Sequence, residues 1–401
     1  MRGKTSSQPA MFFAMDLEER VRQGHPLRPV RRAVEAILEQ MSPRFDEAYA
    51  DQGRPGVPPE VLLKLMLLQA LYGIKSERQL IERLDTDLLF RWFCRMDPAE
   101  PVPAATAFTH NRQRFAEHDL CGRFFTAVTA SAIDAGLVSD EHFSVDGTLI
   151  QSYAAMKSFV PNEQADAIEQ ERERKRRGRD QDPPEDPPDG NGFQPSNPDV
   201  DFRGKPRGNK THRSPNDPEA RLYRKGPGQP AVLGHLGHIL TDNRSGLVLG
   251  VRLSEANGTA EREAALELVD ALKRTHGLKA RTLGADAGYE SGGFLLGLEE
   301  RGITPHVAPQ RKARPGGACK PKKAERAGLG ARLRNFRRRR GDPRYRVSMR
   351  RRKKVEEPFG WFKSHACLRK ASVVGRWKLK QRFEMAAAAL TLVRMRNLAV
   401  I

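Results

Sequence analysis

The chain has few cysteines, few aromatic residues and no long apolar run. Its four cysteines are scattered over 401 residues, and none forms a pair at zinc-ligand spacing, which argues against a zinc site or a disulfide framework. No apolar stretch reaches the ~18 residues that a membrane-spanning helix needs. The N-terminus also lacks the apolar core of a signal peptide. We therefore expect a cytoplasmic protein with reduced cysteines and no membrane partner.

Acidic residues are scarce relative to basic ones. The net charge is +20, and residues 311–370 hold 23 Lys or Arg against 4 Asp or Glu, so this segment contains nearly all of the excess. Cationic side chains gain affinity for polyanions by releasing condensed counterions. The charge pattern therefore predicts nucleic acid as the partner, and the rival, a membrane surface, is disfavoured because no apolar run is long enough for a spanning helix.

Residues 16–137 have helical periodicity throughout. The stretch 58–71 is almost continuously apolar after its first turn, which is typical of a buried helix, and Ser76 is a suitable N-cap for the helix that follows. These signals predict a small all-α domain. Periodicity does not separate a helix-turn-helix DNA-binding domain from a dimerisation or packing domain, so both interpretations stay open.

The periodicity changes at residue 143, where polar and apolar residues alternate as in a strand. Residues 157–217 are rich in proline and charge, which predicts a disordered or loosely held insertion. A hairpin is expected over 231–253, followed by alternating helices and strands and a last amphipathic helix. For residues 141–400 this order predicts an α/β fold, a mixed sheet with helices on both faces.

Three carboxylates have the chemistry of a metal site. Asp146 lies on a predicted strand, Asp286 ends another, and Glu356 lies in the basic segment. Two divalent ions held by carboxylates can activate the attacking oxygen and stabilise the leaving oxygen of a phosphodiester, and carboxylates suit hard Mg²⁺. Singly, each has a commoner explanation: a strand-end Asp is usually a cap or turn residue, and Glu356 could pair with Arg352.

The spacing around Glu356 is informative. On one continuous helix, Arg352, Glu356 and Lys363 share a face, so a carboxylate would lie between two cations able to hold a phosphate backbone. Pro358 favours a helix start or a kink nearby. In that case only Glu356 and Lys363 align.

Further cations are predicted to contact the DNA backbone without reading its sequence. They comprise an arginine run, expected as a phosphate-contacting loop or else a solvated basic tail, and a second group next to Glu356: Arg337, Arg338, Arg339, Arg340, Arg350, Arg351, Lys353 and Lys354. Phe359 and Trp361 could stack on a base, but packing of their helix is favoured. His235 and His238 would lie on opposite strand faces, so no metal pair is expected there.

Several motifs resemble those of the IS5-family insertion-sequence transposases. The family's C-terminal signature is Tyr, two residues, Arg, three residues, Glu, six residues and Lys. Arg352, Glu356 and Lys363 fit it, whereas Met349 stands at the Tyr position. The resemblance extends over almost the whole chain, through residues 53–55, 72–80, 89–93, 141–148, 211–214, 217–222 and 258–262.

The resemblance implies an RNase H-like catalytic domain with an Asp-Asp-Glu triad at Asp146, Asp286 and Glu356. It also implies two Mg²⁺ or Mn²⁺ ions per active site, binding to terminal inverted repeats, and transfer of a freed 3′-OH to target DNA. We expect a homodimer or larger synaptic complex at the nucleoid of a prokaryotic cell. Two rivals remain: an RNase H-like nuclease that cuts without joining, and a DNA-binding protein of transposase descent that lacks catalysis.

Overall fold

A computed structural model of the chain describes residues 15–50, 56–177, 208–224, 228–309 and 323–401. The chain divides into two compact units. The first takes in the chain up to Leu137, together with His365–Cys367 and Glu384–Ile401. The second comprises Val138–Ser364 and Leu368–Phe383. The predicted boundaries at 16–137 and 141–400 remain a proposal.

Every regular element described before Leu137 is a helix. They are α1 (Leu17–Arg20), α2 (Leu27–Ala48), α3 (Pro59–Leu71), α4 (Glu77–Thr86), α5 (Leu88–Cys94), α6 (Thr106–Glu117) and α7 (Leu120–Asp134). Helix α3 is buried nearly all round, as its apolar run predicts, and even Lys64 is buried with Nζ 3.5 Å from Glu35. Ser76 caps α4 by accepting a hydrogen bond from the Gln79 amide, so that prediction is confirmed.

The second unit contains a mixed six-stranded sheet and a separate two-stranded one. The strands are β1 (His142–Gln151), β2 (Val160–Pro161), β3 (His212–Arg213), β4 (Arg221–Tyr223), β5 (Val232–Asp242), β6 (Val248–Glu255), β7 (Thr282–Ala285) and β8 (Thr304–Val307). In the large sheet β5 pairs antiparallel with β1, β4 and β6, whereas β1, β7 and β8 run parallel. The predicted hairpin is β5–β6, and the predicted mixed sheet is confirmed.

Helices cover both faces of the large sheet. They belong to the set α8 (Asn162–Arg177), α9 (Ala260–His276), α10 (Gly292–Glu300), α11 (Lys323–Gly341), α12 (Pro343–Arg352), α13 (Glu356–Ser364) and α14 (Arg376–Asn397). A Cβ at Gly147 would meet Glu261 of α9, and one at Gly284, which is level with Ser144, would meet Ser348 of α12. Because side chains alternate along a strand, α9 and α12 lie on opposite faces.

The range predicted to be a disordered insertion, 157–217, is regular where the structure describes it. It contains β2, α8 and β3, whereas residues 178–207 lie outside the described residues. Ala165 of α8 is fully buried, and Arg213 of β3 bonds to Asp166 and Glu169 at 2.6 Å each. The helix is therefore held by ion pairs to a distant strand, which its largely polar sequence does not reveal.

Candidate active site

The pairing of β1 with β7 relates Asp146 to Asp286. The two strands are parallel, and the last paired residues are Ser144 and Gly284. If that register continued for two more residues, Asp146 would lie beside Asp286, since neighbouring strands are roughly 4.8 Å apart. Strand β7 ends at Ala285 while β1 continues to Gln151, so both carboxylates lie where β1 runs past the end of its neighbour.

Both aspartates also bond to nearby backbone. Asp286 caps a single 3₁₀ turn, and its Oδ1 accepts a hydrogen bond from the Gly288 amide at 2.8 Å. Oδ1 of Asp146 accepts from the Gly147 amide at 2.8 Å. The commoner explanation for a strand-end Asp, a turn cap, is thus present at Asp286. Both residues remain partly accessible to solvent.

Glu356 is the first residue of α13 and is exposed. Helix α12 ends at Arg352, and a 3₁₀ turn that contains the fully buried Val355 packs against β1 before α13 begins. The helix start that Pro358 favours is confirmed, so Glu356 and Lys363 share a helix whereas Arg352 belongs to the preceding one. No ion pair joins Glu356 to Arg352 in this described segment.

Two residues near these carboxylates had no role assigned from the sequence. Tyr289 is 1% exposed, and its hydroxyl has no hydrogen-bond partner within the described ranges. Burial raises the pKa of Tyr289 well above its usual range, and the charges of Glu261, Asp146 and Asp286 raise it further, while Arg352 lowers it. The side chain of Glu261 crosses Gly147, where a Cβ would stand 2.8 Å from its Oε1. The Tyr289 hydroxyl therefore lies among the charges of this region.

The donor set fits a hard divalent cation in its chemistry, since Asp146, Asp286, Glu261 and Glu356 all offer carboxylate oxygens. The spacing of these carboxylates is wider than a metal site requires. Within the parts of the chain that the structure describes, no three His, Cys, Asp or Glu side chains are close enough together to hold a metal ion. The carboxylates share one region of the sheet without being gathered at ligand distance.

The arginine run predicted as a loop is instead the last part of α11. Arg338 pairs with Glu299 of α10 at 3.0 Å, and Arg339 pairs with Glu290. These carboxylates neutralise two of the four charges, which allows consecutive arginines to continue a helix. Arg337 and Arg340 remain exposed, with Arg340 lying over the Phe336 ring at 5.3 Å.

The second basic group is more accessible. Arg350, Arg351, Lys353 and Lys354 are exposed, whereas Arg352 is partly buried. Nζ of Lys354 donates to the Arg244 carbonyl at 3.2 Å, which ties this end of the segment to the loop between β5 and β6. These four side chains project a positive surface next to Glu356.

The aromatic and histidine side chains take the ordinary roles expected for them. Phe359 is buried, and the neighbouring Phe362 packs edge-on against Phe383 with centroids 5.3 Å apart. His235 lies 3.1 Å from Asp217, whereas His238 lies 2.7 Å from Ser254. The two histidines therefore have separate partners.

Comparison with known families finds two stretches of the chain that resemble transposase domains. Residues 215–392 match the family model described as a transposase DDE domain. That match takes in Asp286 and Glu356 but begins after Asp146, and residues 15–114 match a second model, described as a transposase domain (DUF772). No curated protein matches the chain.

Among solved structures, the chain is similar to a piggyBac transposase in a synaptic complex with hairpin DNA, determined by cryo-electron microscopy. The identity is 10%, the alignment covers 93% of this chain and 76% of that one, and the TM-score is 0.39. No helix within the described ranges is both long and apolar enough to cross a membrane.

Proposed function

We propose that this protein is a DNA transposase of the IS5 family, which binds the terminal inverted repeats of an insertion sequence, cleaves at its ends and joins the freed 3′-OH to target DNA. The observation that supports the proposal is the parallel pairing of β1 with β7, from which we expect Asp146 to lie beside Asp286, in a chain that matches a transposase DDE domain over residues 215–392.

The sheet supports an RNase H-like catalytic domain. Its strand order is an antiparallel trio, β6–β5–β1, followed by the parallel strands β7 and β8. Strand β7 is buried throughout, whereas the proposed catalytic residues Asp146 and Asp286 are partly accessible to solvent. The separate helical unit fits a DNA-binding or dimerisation role.

Asp146, Asp286 and Glu356 would hold two Mg²⁺ or Mn²⁺ ions, which supply activation of the attacking oxygen and stabilisation of the leaving oxygen. Arg352 and Lys363 position the element's end. The exposed cations next to Glu356 bind the phosphate backbone, which fixes the register of the DNA without reading its sequence.

Two displacements at phosphorus follow. In the first, a water oxygen bonds to phosphorus as the bond to the 3′ oxygen breaks, and that oxygen leaves as a 3′-OH. In the second, the 3′-OH attacks a target phosphodiester, displaces the target's own 3′ oxygen and loses its proton. A homodimer or larger synaptic complex, acting on the nucleoid of a prokaryotic cell, would hold both ends.

The test uses a labelled duplex that carries the inverted repeats flanking the coding sequence, with Mg²⁺ and a target plasmid. Wild type is compared with Asp286→Asn and with the control variant Asp270→Asn. Asp270 lies on α9, and its carboxylate pairs with Arg301 at 2.7 Å. We expect cleavage and joining by wild type and Asp270→Asn, and DNA binding alone by Asp286→Asn.

The other outcomes point to the rivals. Cleavage without joining would indicate a nuclease. Binding without cleavage by any of the three proteins would indicate a DNA-binding relative that lacks catalysis. Full cleavage by Asp286→Asn would refute the assignment of Asp286.

A further inference from the structure

The buried hydroxyl of Tyr289 has an unusual set of neighbours. It has no hydrogen-bond partner in the described part of the chain, although the side chain is 1% exposed. A buried hydroxyl normally finds a partner, because an unpaired one costs the full desolvation of the group. Here the charged groups around it are carboxylates and one arginine.

Glu261 is prominent among those carboxylates. Of the three that raise the pKa of Tyr289, Glu261 has the largest effect, ahead of Asp146 and Asp286. It stands in the first turn of α9, and its side chain crosses the backbone of Gly147, the residue after Asp146. Glu261 therefore lies against the backbone next to Asp146 and close enough to the Tyr289 hydroxyl for its charge to act on it.

A protonated phenol can donate one hydrogen bond to a carboxylate. A tyrosine phenol is protonated at neutral pH, because its ordinary pKa is about 10. The carboxylates repel one another, and no three of them are gathered at ligand distance in the described residues. A divalent cation would offset that repulsion and draw them together around the hydroxyl.

We propose that Tyr289 is a positioning residue, whose hydroxyl donates a hydrogen bond to a carboxylate of this site when a divalent cation is bound. Glu261 is the fourth carboxylate of the same site. This inference rests on the proposed function, because it takes Asp146 and Asp286 as the cation ligands. It adds Tyr289, which would orient a carboxylate, and Glu261, which would add a negative charge.

The experiment measures Mn²⁺ binding and thermal unfolding of the full chain, with no DNA present. The variants are Tyr289→Phe, Glu261→Gln and Asp286→Asn. The matched control is Tyr345→Phe, because the hydroxyl of Tyr345 is also buried but donates to the Val307 carbonyl at 3.0 Å.

Tyr289→Phe is expected to weaken Mn²⁺ binding by roughly tenfold, as loss of an outer hydrogen bond to metal ligands commonly does. Without Mn²⁺ the same variant should melt at a higher temperature than wild type, because an unpaired buried hydroxyl is removed. Saturating Mn²⁺ should abolish that advantage. Tyr345→Phe should melt at a lower temperature than wild type by the same amount with and without Mn²⁺.

Glu261→Gln should weaken Mn²⁺ binding without changing the fold, since one negative charge is lost and the shape is kept. Asp286→Asn should abolish binding. If Tyr289→Phe bound Mn²⁺ with wild-type affinity, or if its melting shift were the same with and without Mn²⁺, the role of Tyr289 would be overturned. Loss of Mn²⁺ binding in Asp286→Asn would still support the proposed cation site in that case. Wild-type affinity in Glu261→Gln would overturn the fourth carboxylate.

One result would contradict the proposed function as well as this inference. If wild type bound no Mn²⁺, or bound it no better than Asp286→Asn, the cation site of the proposed function would fail together with this inference.

Discussion

Removal of the Asp217 carboxylate is expected to destabilise the protein by about 4 kcal/mol. Asp217 has no solvent exposure, and its Oδ2 accepts a hydrogen bond from Ser152 at 2.6 Å while lying 3.1 Å from Nε2 of His235. Ser152 and His235 are each 1% exposed. In Asp217→Ala the buried side chains of Ser152 and His235 both lose this partner. Each unpaired polar group costs about 1–3 kcal/mol, so a total loss of about 4 kcal/mol lies within the summed range.

The assay is urea unfolding at neutral pH, followed by circular dichroism, with Ser152→Ala as the matched variant. Ser152→Ala removes the hydroxyl that donates to Asp217 and accepts from the Ala154 amide at 3.0 Å, so we expect a loss of about 2 kcal/mol, smaller than that of Asp217→Ala. A cost below about 1 kcal/mol for Asp217→Ala would refute the reasoning, because it would mean that the buried groups find other partners.

The pH dependence gives an independent check. Burial alone would raise the pKa of Asp217, but hydrogen bonds from His235 and Ser152 outweigh it, and the net pKa is lowered. A lowered folded-state pKa contributes stability that is complete above the unfolded pKa and is lost as the pH falls towards the folded one. The stability gap between wild type and Asp217→Ala should therefore narrow below about pH 4. A gap that widens in acid would contradict this account.

Three further predictions concern other parts of the chain. Gly292→Ala should cost about 1–3 kcal/mol in thermal unfolding because its Cβ would lie 2.7 Å from the backbone of α11, whereas Gly293→Ala, with nothing within 4 Å, should cost far less. Burial alone would raise the pKa of Glu35, but hydrogen bonds from two arginines outweigh it and lower the pKa to about 2. At neutral pH Glu35→Gln should therefore unfold with a lower free energy than wild type, and this difference should disappear as the pH falls from about 4 towards 2. Arg351→Ala should reduce the salt dependence of DNA affinity by about one unit of slope, whereas Arg339→Ala, whose charge is already paired with a carboxylate, should leave it unchanged in a filter-binding titration.

Elements with strong local signals were predictable from the sequence. The apolar run of α3 needed no tertiary information, because a helix that is apolar on all sides must be buried. The alternation over β1 and the hairpin of β5 and β6 were equally readable. Asp146 could be assigned to a strand and Asp286 to a strand end, but whether they lie side by side depends on the register of two strands whose paired residues are 140 positions apart, which no local pattern specifies.

The errors share one cause, which is that distant ion pairs decide the local structure. Helix α8 is polar, and its acidic residues pair with Arg213, which lies 36 positions beyond the end of the helix. The run from Arg337 to Arg340 is predicted as a loop or a basic tail, yet it forms the end of α11, with Glu299 and Glu290 paired to it. The charge of a segment predicts its structure only when the partners of those charges are known.

The three proposed catalytic carboxylates are held in different ways, and this difference bears on how the site would assemble. Asp146 lies within the paired strand β1 and Asp286 directly follows the paired strand β7, and each accepts a hydrogen bond from nearby backbone. Glu356 is exposed at the start of a two-turn helix, where the helix dipole favours a negative charge. Its approach to the aspartates is opposed by their charge and is favoured by cations and by DNA bound to the basic side chains beside it. We therefore expect Glu356 to be the last of the three to take its place, after the sheet has already set the other two.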